Sequence, residues 1–188
     1  RTFTAVTFVI VALAASTSRA DDAFEFPEPQ AEHEWLHKFV GEWTSTSEAS
    51  LGPDQTFECT GTISSQMLGG FWVLNDMSTD AAGMQMSGLQ TIGYDPAKGK
   101  YVGTWVDTAT NHMWVYEGEI DESGKKISLY AEGPNFDGSE GTSMFRDSYE
   151  FVSDDEMHIT SEMQGPDGEW ITFMTGVAHR TTSATEGQ

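Results

Sequence analysis

The sequence predicts an all-β protein, an antiparallel up-and-down β-barrel of about ten strands preceded by one short helix. From Gly41 onward, short segments rich in Val, Ile, Thr, Phe, Tyr and Trp alternate with clusters of Gly, Asp, Asn, Pro and Ser. Such even spacing is typical of a sheet that closes on itself. No helical stretch of comparable length interrupts these segments, and short connections favour successive hairpins whose closure removes exposed edges.

The N-terminal residues are expected to lie outside this fold. Residues 1–20 have the features of a secretory signal peptide, with Arg1 before an apolar run at 8–15 and small residues up to Ala20. Cleavage after Ala20 predicts a periplasmic or secreted protein. Residues 21–30 are acidic and interrupted by Pro, which predicts an extended lead-in. No other apolar stretch approaches the roughly 20 residues of a membrane span.

A short helix is predicted over residues 31–40. Trp35, Leu36 and Phe39 fall on one face of such a helix, and Gly41 can end it. This apolar face is expected to pack against one end of the barrel.

Four turns between the predicted strands carry specific residues. Asp-Pro at 95–96 with Gly99 forms one, Gly124 and Gly168 mark two more, and an acidic cluster at 153–156 is the fourth. The predicted strands cover residues 42–49, 56–65, 71–79, 85–94, 100–107, 112–120, 125–132, 143–152, 156–163 and 169–178.

The length and charge of the chain predict one acidic domain. It has 188 residues and a formal charge of −21, and we expect a single barrel over 31–180 with a flexible tail at 181–188. An acidic surface repels phosphate backbones and anionic lipids, which excludes nucleic acid as a partner class. The single cysteine, Cys59, cannot form an internal disulfide. Composition does not predict an oligomeric state.

Strand parity predicts which side chains point into the barrel, because alternate residues share a face. Glu117 and Glu119 favour solvent on one strand, and Arg146 and Glu150 do so on another. The opposite faces are then inward, with His112, Trp114 and Tyr116 on the first strand and Phe145, Asp147, Tyr149 and Phe151 on the second.

This aromatic interior with a few polar groups suits a small-molecule cavity, and equally a filled core. We predict a non-catalytic barrel that binds a small apolar or amphipathic molecule, with Asp107 and Asp147 as polar anchors. No cofactor, metal ligand or catalytic residue is predicted. The predicted ligand-binding residues are Trp105, Asp107, His112, Trp114, Tyr116, Phe145, Asp147 and Tyr149.

Three stretches carry a resemblance to a known family. They are "EHEWLHKFVGEW", "GLQTIGYDPAKGKYVGTWVDT" and "YEGEIDESGKKISL". Together they resemble the bacterial exported proteins of the domain-of-unknown-function-1579 family, from about residue 32 to residue 180. The resemblance implies a lipocalin-like (calycin-type) β-barrel and brings no established activity or catalytic residues. Gly41-x-Trp43 is similar to the Gly-x-Trp near the first strand of such barrels, which implies that Trp43 closes the base.

Residues 33–37, "HEWLH", match the H-E-x-x-H pattern of zinc peptidases. A zinc peptidase needs this pattern on a long buried helix with a third ligand, whereas Gly41 ends the predicted helix early. Val40 and Trp43 stand where the longer metzincin pattern has Gly and its third His. We therefore predict no peptidase, and an adventitious metal site at the two histidines stays open.

Other functions also stay open. Asp107, His112 and Asp147 could act as acid and base in a hydrolase or isomerase if they converge. His112 could be an axial ligand of haem, or a solvent-exposed residue at the rim of the barrel. An exposed aromatic patch on a filled barrel would instead favour a protein-interaction module of the cell envelope.

Overall fold

The computed structural model describes residues 26–50, 56–136 and 139–181. It contains a short helix, α1 (Ala31–Trp35), a 3₁₀ helix (Leu36–Phe39) and ten strands. The strands are β1 (Gly41–Ser50), β2 (Thr56–Leu68), β3 (Trp72–Ala81), β4 (Met84–Asp95), β5 (Lys100–Asp107), β6 (Trp114–Ile120), β7 (Lys126–Pro134), β8 (Thr142–Phe151), β9 (Glu156–Gln164) and β10 (Trp170–Arg180).

The strands form one closed antiparallel barrel, which confirms the predicted fold class. Each strand pairs with its neighbour in the chain, and β1 closes the barrel by pairing with β10. Closure leaves no strand edge unpaired, so the sheet offers no template for edge-to-edge aggregation. The predicted signal peptide, residues 1–20, and residues 182–188 of the predicted tail lie outside the described residues. None of the helices in the described part is long and apolar enough to cross a membrane.

Two predicted boundaries are corrected. The predicted helix over 31–40 is an α-helical turn followed by a 3₁₀ turn. The strand predicted from residue 112 begins at Trp114, which leaves His112 in the loop after β5. The reason lies in Asp107, whose carboxylate accepts hydrogen bonds from the backbone N–H groups of Ala109 (2.8 Å) and Thr110 (2.7 Å) and so turns the chain out of the sheet.

The predicted turns are present. Gly99, Gly124 and Gly168 follow β4, β6 and β9 with φ angles of 64°, 70° and 85°. These angles lie in the left-handed region, which glycine enters without steric cost. The turn signals in the sequence therefore mark real hairpins.

The helical segment closes one end of the barrel, which we call the base. Phe39 is 1% exposed and its ring packs edge-on against Tyr149 (5.4 Å) and Phe151 (5.0 Å). Trp43 is equally buried, and its indole N–H donates to the Phe39 carbonyl at 2.8 Å. The guanidinium of Arg180 lies 4.1 Å above the Trp43 ring. Trp43 thus occupies the base, as the sequence predicted.

Candidate ligand-binding site

The interior of the barrel divides into a packed lower half at the base and an accessible upper half at the opposite end. In the lower half, inward side chains such as Val73, Ile92 and Ile127 have no exposed surface. Because side chains alternate across a strand, an inward residue is exposed only if solvent enters the barrel. Inward residues of the upper half that remain partly exposed are Ser45, Ser47, Met77, Thr79, Met86, Met163 and Met174.

Four rings form an aromatic cluster on one side of the upper half, namely Trp114, Phe136, Phe145 and Phe173. The ring centroids of Trp114 and Phe145 are 4.7 Å apart, and Phe136 lies 4.9 Å from Phe145 and 5.2 Å from Phe173. These separations are those of edge-to-face aromatic packing. Trp114 lies against Gly133, where any Cβ would overlap its ring.

The loop after β5 borders this cluster and is organised by Asp107. The other oxygen of Asp107 accepts a hydrogen bond from the indole N–H of Trp105 at 2.7 Å, so both oxygens of this carboxylate are engaged within its own segment. His112 packs edge-on to Trp114 at 4.9 Å, and its Nε2 lies 3.3 Å from the carbonyl oxygen of Glu132. Ligand pockets in proteins measure about 300–1,000 Å³, and the cavity beside this loop measures about 620 Å³. It is lined by residues 108–112, Trp114 and 134–136.

A polar layer lies below the aromatic cluster and is made of Asn75, Gln90, Tyr116, Asp147, Tyr149 and Ser161. Asp147 accepts hydrogen bonds from the hydroxyl of Tyr116 and, at 2.6 Å, from the hydroxyl of Ser161. The side-chain amide of Asn75 donates to Gln90 (2.9 Å), which donates to the hydroxyl of Tyr149 (2.9 Å). Hydrogen bonds thus connect β3, β4 and β8 across the barrel.

Burial dominates the acid–base properties of this layer. It raises the pKa of the Asp147 carboxyl above its ordinary value, while the hydrogen bonds from Ser161 and Tyr116 act in the opposite direction. Burial also raises the pKa of Tyr116 and of Tyr149, and the nearby Asp147 carboxylate adds to both shifts. Both phenols are therefore neutral hydrogen-bonding groups near neutral pH.

The family is shown by a match over nearly the whole fold. Residues 28–180 match the family described as "Protein of unknown function (DUF1579)". The chain belongs to this family. No curated protein matches it.

Solved structures share the barrel of this family member at low sequence identity. A crystal structure of Rv2717c from M. tuberculosis aligns with a TM-score of 0.60 and 15% identity, over 82% of this chain and 100% of that chain. The S-type phycobiliprotein lyase CPES from Guillardia theta aligns with a TM-score of 0.54 and 12% identity, over 82% and 99%. At such identities the likeness shows the fold alone.

The structure joins some of the predicted site residues in this family member and separates others. Trp114 contacts both His112 and Phe145, and Tyr116 contacts Asp147. Among the hydrogen bonds of the described residues, none connects Asp107, His112 and Asp147 with one another. The eight residues thus fall into a rim group and a polar-layer group, with Tyr149 in the second.

Sequence reasoning missed five residues of the aromatic cluster and the polar layer. Phe136 lies in a loop, and Phe173 lies at the bulge of β10 between Thr172 and Met174, where alternation breaks. Asn75, Gln90 and Ser161 had a usable signal, because each shares strand parity with an inward apolar residue two positions away.

The two histidines of "HEWLH" lie in different environments. His33 is 3% exposed, and its Nδ1 accepts the backbone N–H of Gln30 at 2.9 Å, which caps α1. His37 has a side chain that is 51% exposed, with its Nε2 3.8 Å from Glu34. Within the described ranges, no three His, Cys, Asp or Glu side chains are grouped to hold a metal ion.

The outer wall has two further features. A depression of about 580 Å³ is lined by residues 46–48, 58–60, 158–160 and 175–177 of four adjacent strands; by strand parity most of these side chains, such as that of Thr46, point outward. Exposed apolar side chains include Leu89 and Val106, which pair across β4 and β5, and Val115 on β6; Trp72 is exposed as well.

Proposed function

We propose that this protein binds a small apolar or amphipathic molecule in the upper half of its barrel, without catalysis. The observation that carries the proposal is the difference between the two halves of the interior. In the lower half, Val73, Ile92 and Ile127 have no solvent-exposed surface. In the upper half, several inward residues are partly exposed. A barrel evolved only for stability would gain from filling both halves.

The chemistry of the upper half suits such a ligand. Its walls include Met77, Met163 and Met174, whose flexible thioether chains adapt to ligands of different shape. The aromatic cluster adds rigid apolar surface beside them. Below, the polar layer supplies the few directed hydrogen-bonding groups that orient a ligand in an apolar pocket.

Binding without catalysis is supported by how the candidate acid–base groups are used. Asp107 is engaged by Trp105 and by its own loop, and His112 faces a backbone carbonyl. Asp147 is bound by Tyr116 and Ser161. A general acid–base pair needs its members within hydrogen-bond reach of one reacting group, and these three have separate partners.

Two neighbouring positions on β1 test the proposal. Ser47 faces inward and is partly exposed, whereas Thr46 faces outward, so Ser47→Phe fills the upper half and Thr46→Phe lies on the outer wall. We expect the uncharged dye Nile red to bind the wild type saturably, with fluorescence enhancement. Its affinity should fall about tenfold or more in Ser47→Phe, which is about 1.4 kcal/mol, and stay unchanged in Thr46→Phe.

Circular dichroism would establish that both variants fold. Loss of binding in Thr46→Phe with normal binding in Ser47→Phe would place the site on the outer wall instead, since both residues line the depression but only the Thr46 side chain points outward. Absence of saturable binding to the wild type would contradict the proposal.

We also propose that the protein is exported, with residues 1–20 removed as a signal peptide. N-terminal sequencing of the protein recovered from its host is expected to begin at Asp21. A sequence that retains residues 1–20 would contradict export by this route.

A further inference from the structure

We propose that the ligand carries a positively charged nitrogen head group, and that this group binds the Asp147 carboxylate at the polar layer. The inference rests on the proposed function and goes further by naming the chemistry of the head group. It stands on three observations, which are the unpaired charge of Asp147, the unsatisfied acceptor of Asn75 and the placement of the basic residues.

Asp147 is an inward carboxylate whose direct partners are neutral. Its two oxygens accept one hydrogen bond each, from Tyr116 and from Ser161. A carboxylate has capacity for about four, so each oxygen retains a free lone pair. Asp147 is a partly exposed residue, while Tyr116 and Ser161 are 3% and 4% exposed, so Asp147 is the least buried residue of this trio.

No protein cation balances this carboxylate among the described residues. Arg146, its neighbour in sequence, points outward and pairs with Glu162 at 2.6 Å. The remaining Lys and Arg residues of the described ranges lie in turns, on the outer wall or at the base, and are Lys38, Lys98, Lys100, Lys125, Lys126 and Arg180. Burying a carboxylate without a countercharge is costly, and a cationic ligand would remove this cost.

Asn75 provides independent evidence, because this layer contains a hydrogen-bond acceptor that has no donor. Its side chain is fully buried and its Nδ2 donates to Gln90, but its Oδ1 has no hydrogen-bond partner among the described residues. Ser65, its direct neighbour on β2, has an unpartnered hydroxyl as well. Buried polar atoms without a partner are uncommon, and the N–H group of a ligand would satisfy the Asn75 acceptor, whereas the Ser65 hydroxyl can both donate and accept.

The charge of the whole protein favours the same head group. With a formal charge of −21, the protein attracts cations to its open end and repels carboxylates and phosphates. The aromatic cluster would then contact the apolar body of the ligand while Asp147 contacts its N–H groups. An aliphatic or aromatic amine has this combination of parts.

The test compares three probes with the same eight-carbon chain, namely octylamine, 1-octanol and octanoate. Isothermal titration calorimetry at pH 7.5 is expected to give octylamine an affinity about tenfold higher than that of 1-octanol, with octanoate weakest. Asp147→Asn should lower the affinity for octylamine to about that for 1-octanol. Glu150→Gln is the matched control, because it removes the same charge from an exposed outward position of the same strand and should keep the preference.

A second variant keeps the inference testable if Asp147→Asn does not fold. Ser161→Ala retains the carboxylate but removes a hydrogen bond that lowers its pKa. The octylamine preference requires the ionised carboxylate, so it should appear as the pH rises through the pKa of Asp147, and at higher pH in Ser161→Ala. The titratable groups that face Asp147, Tyr116 and Tyr149, stay neutral in this range because their pKa values are raised.

The outcomes separate the two proposals. Equal affinity for the three probes, or a preference that survives Asp147→Asn, would overturn the cationic head group and leave the binding function intact. Failure of all three probes to bind the wild type, together with failure of Nile red, would overturn the binding function itself.

Discussion

A missing side chain can shape a binding surface, and Gly133 does so here. Trp114 lies across this glycine from the inside of the barrel, and Trp105 lies across Gly88 in the same way. Any Cβ at either glycine would overlap the indole ring above it. The position of each tryptophan therefore depends on a neighbouring strand that offers bare backbone.

Gly133→Ala is expected to displace Trp114 and weaken Nile red binding about tenfold or more. The added methyl has no room beneath the ring, so the ring must move away from β7 and disturb the aromatic cluster. Fluorescence titration measures the loss, and a shifted tryptophan emission would report the movement.

Gly93→Ala is the matched control for this prediction. Gly93 is covered by the exposed Trp72 on the outer wall, so the same overlap arises away from the interior. Both variants should lose stability, but Gly93→Ala should bind Nile red normally. Equal binding by the two variants would show that the position of Trp114 does not matter for the ligand.

Several hydrogen bonds hold the helical segment to the barrel, and Arg180 at the end of β10 makes two of them, to Lys38 and Val40. Its guanidinium covers the Trp43 ring and donates to the carbonyl oxygens of Val40, Lys38 (3.2 Å) and Asp154 (3.0 Å). A planar fork with five N–H donors can serve three carbonyls while it stacks on a ring. One side chain thus connects the base, β1 and the β8–β9 turn.

Arg180→Lys should lower the free energy of unfolding by about 1–3 kcal/mol, because an ammonium cannot reproduce this geometry and leaves carbonyls without donors. Urea unfolding measures the change. Arg146→Lys is the comparison, since Arg146 also covers a tryptophan, Trp170 at 4.4 Å, and pairs with Glu162 on the outer wall. A loss in Arg146→Lys as large as in Arg180→Lys would show that connection of the base is not the source of the effect.

The whole molecule carries far more acidic than basic side chains, 30 Asp and Glu against 9 Lys and Arg. Ion pairs within the described ranges are mostly exposed, such as Lys100 with Glu119 at 2.6 Å, and exposed pairs contribute little to stability. Repulsion among the unpaired carboxylates therefore opposes the compact state.

Salt is expected to stabilise the protein by screening this repulsion. The melting temperature should rise by several degrees between about 0.01 M and 0.5 M NaCl, as the Debye length falls from about 30 Å toward 3 Å. Differential scanning calorimetry measures the change. The rise should level off near 1 M; a constant or falling melting temperature across the range would contradict the expectation.

Most of the fold could be predicted because local patterns in the sequence determine it. The alternation of residues such as Phe145, Asp147 and Tyr149 with Arg146 and Glu150 sets which face of β8 points inward, and a slip of one residue would bury the charges. Turn glycines then limit where each hairpin reverses.

The candidate site was predicted less completely, since its residues come together from loops and from separate strands. The loop after β5 does not follow the alternation of a strand, because Asp107 turns the chain before His112. Phe173 does not follow the alternation either, because it lies at the bulge in β10. No periodic pattern in the sequence encodes these two deviations.

By itself, the sequence determined the ten strands, their order, the inward faces of strands such as β6 and β8, and the acidic charge, because each follows from periodicity, turn residues or composition. Only the tertiary structure decided that His33 is a buried cap, that the lower half of the barrel is packed and the upper half accessible, and that Asp147 lacks a protein cation. These properties depend on which residues of distant strands meet after closure. Closure is a property of the whole sheet, so no single segment of the sequence carries it.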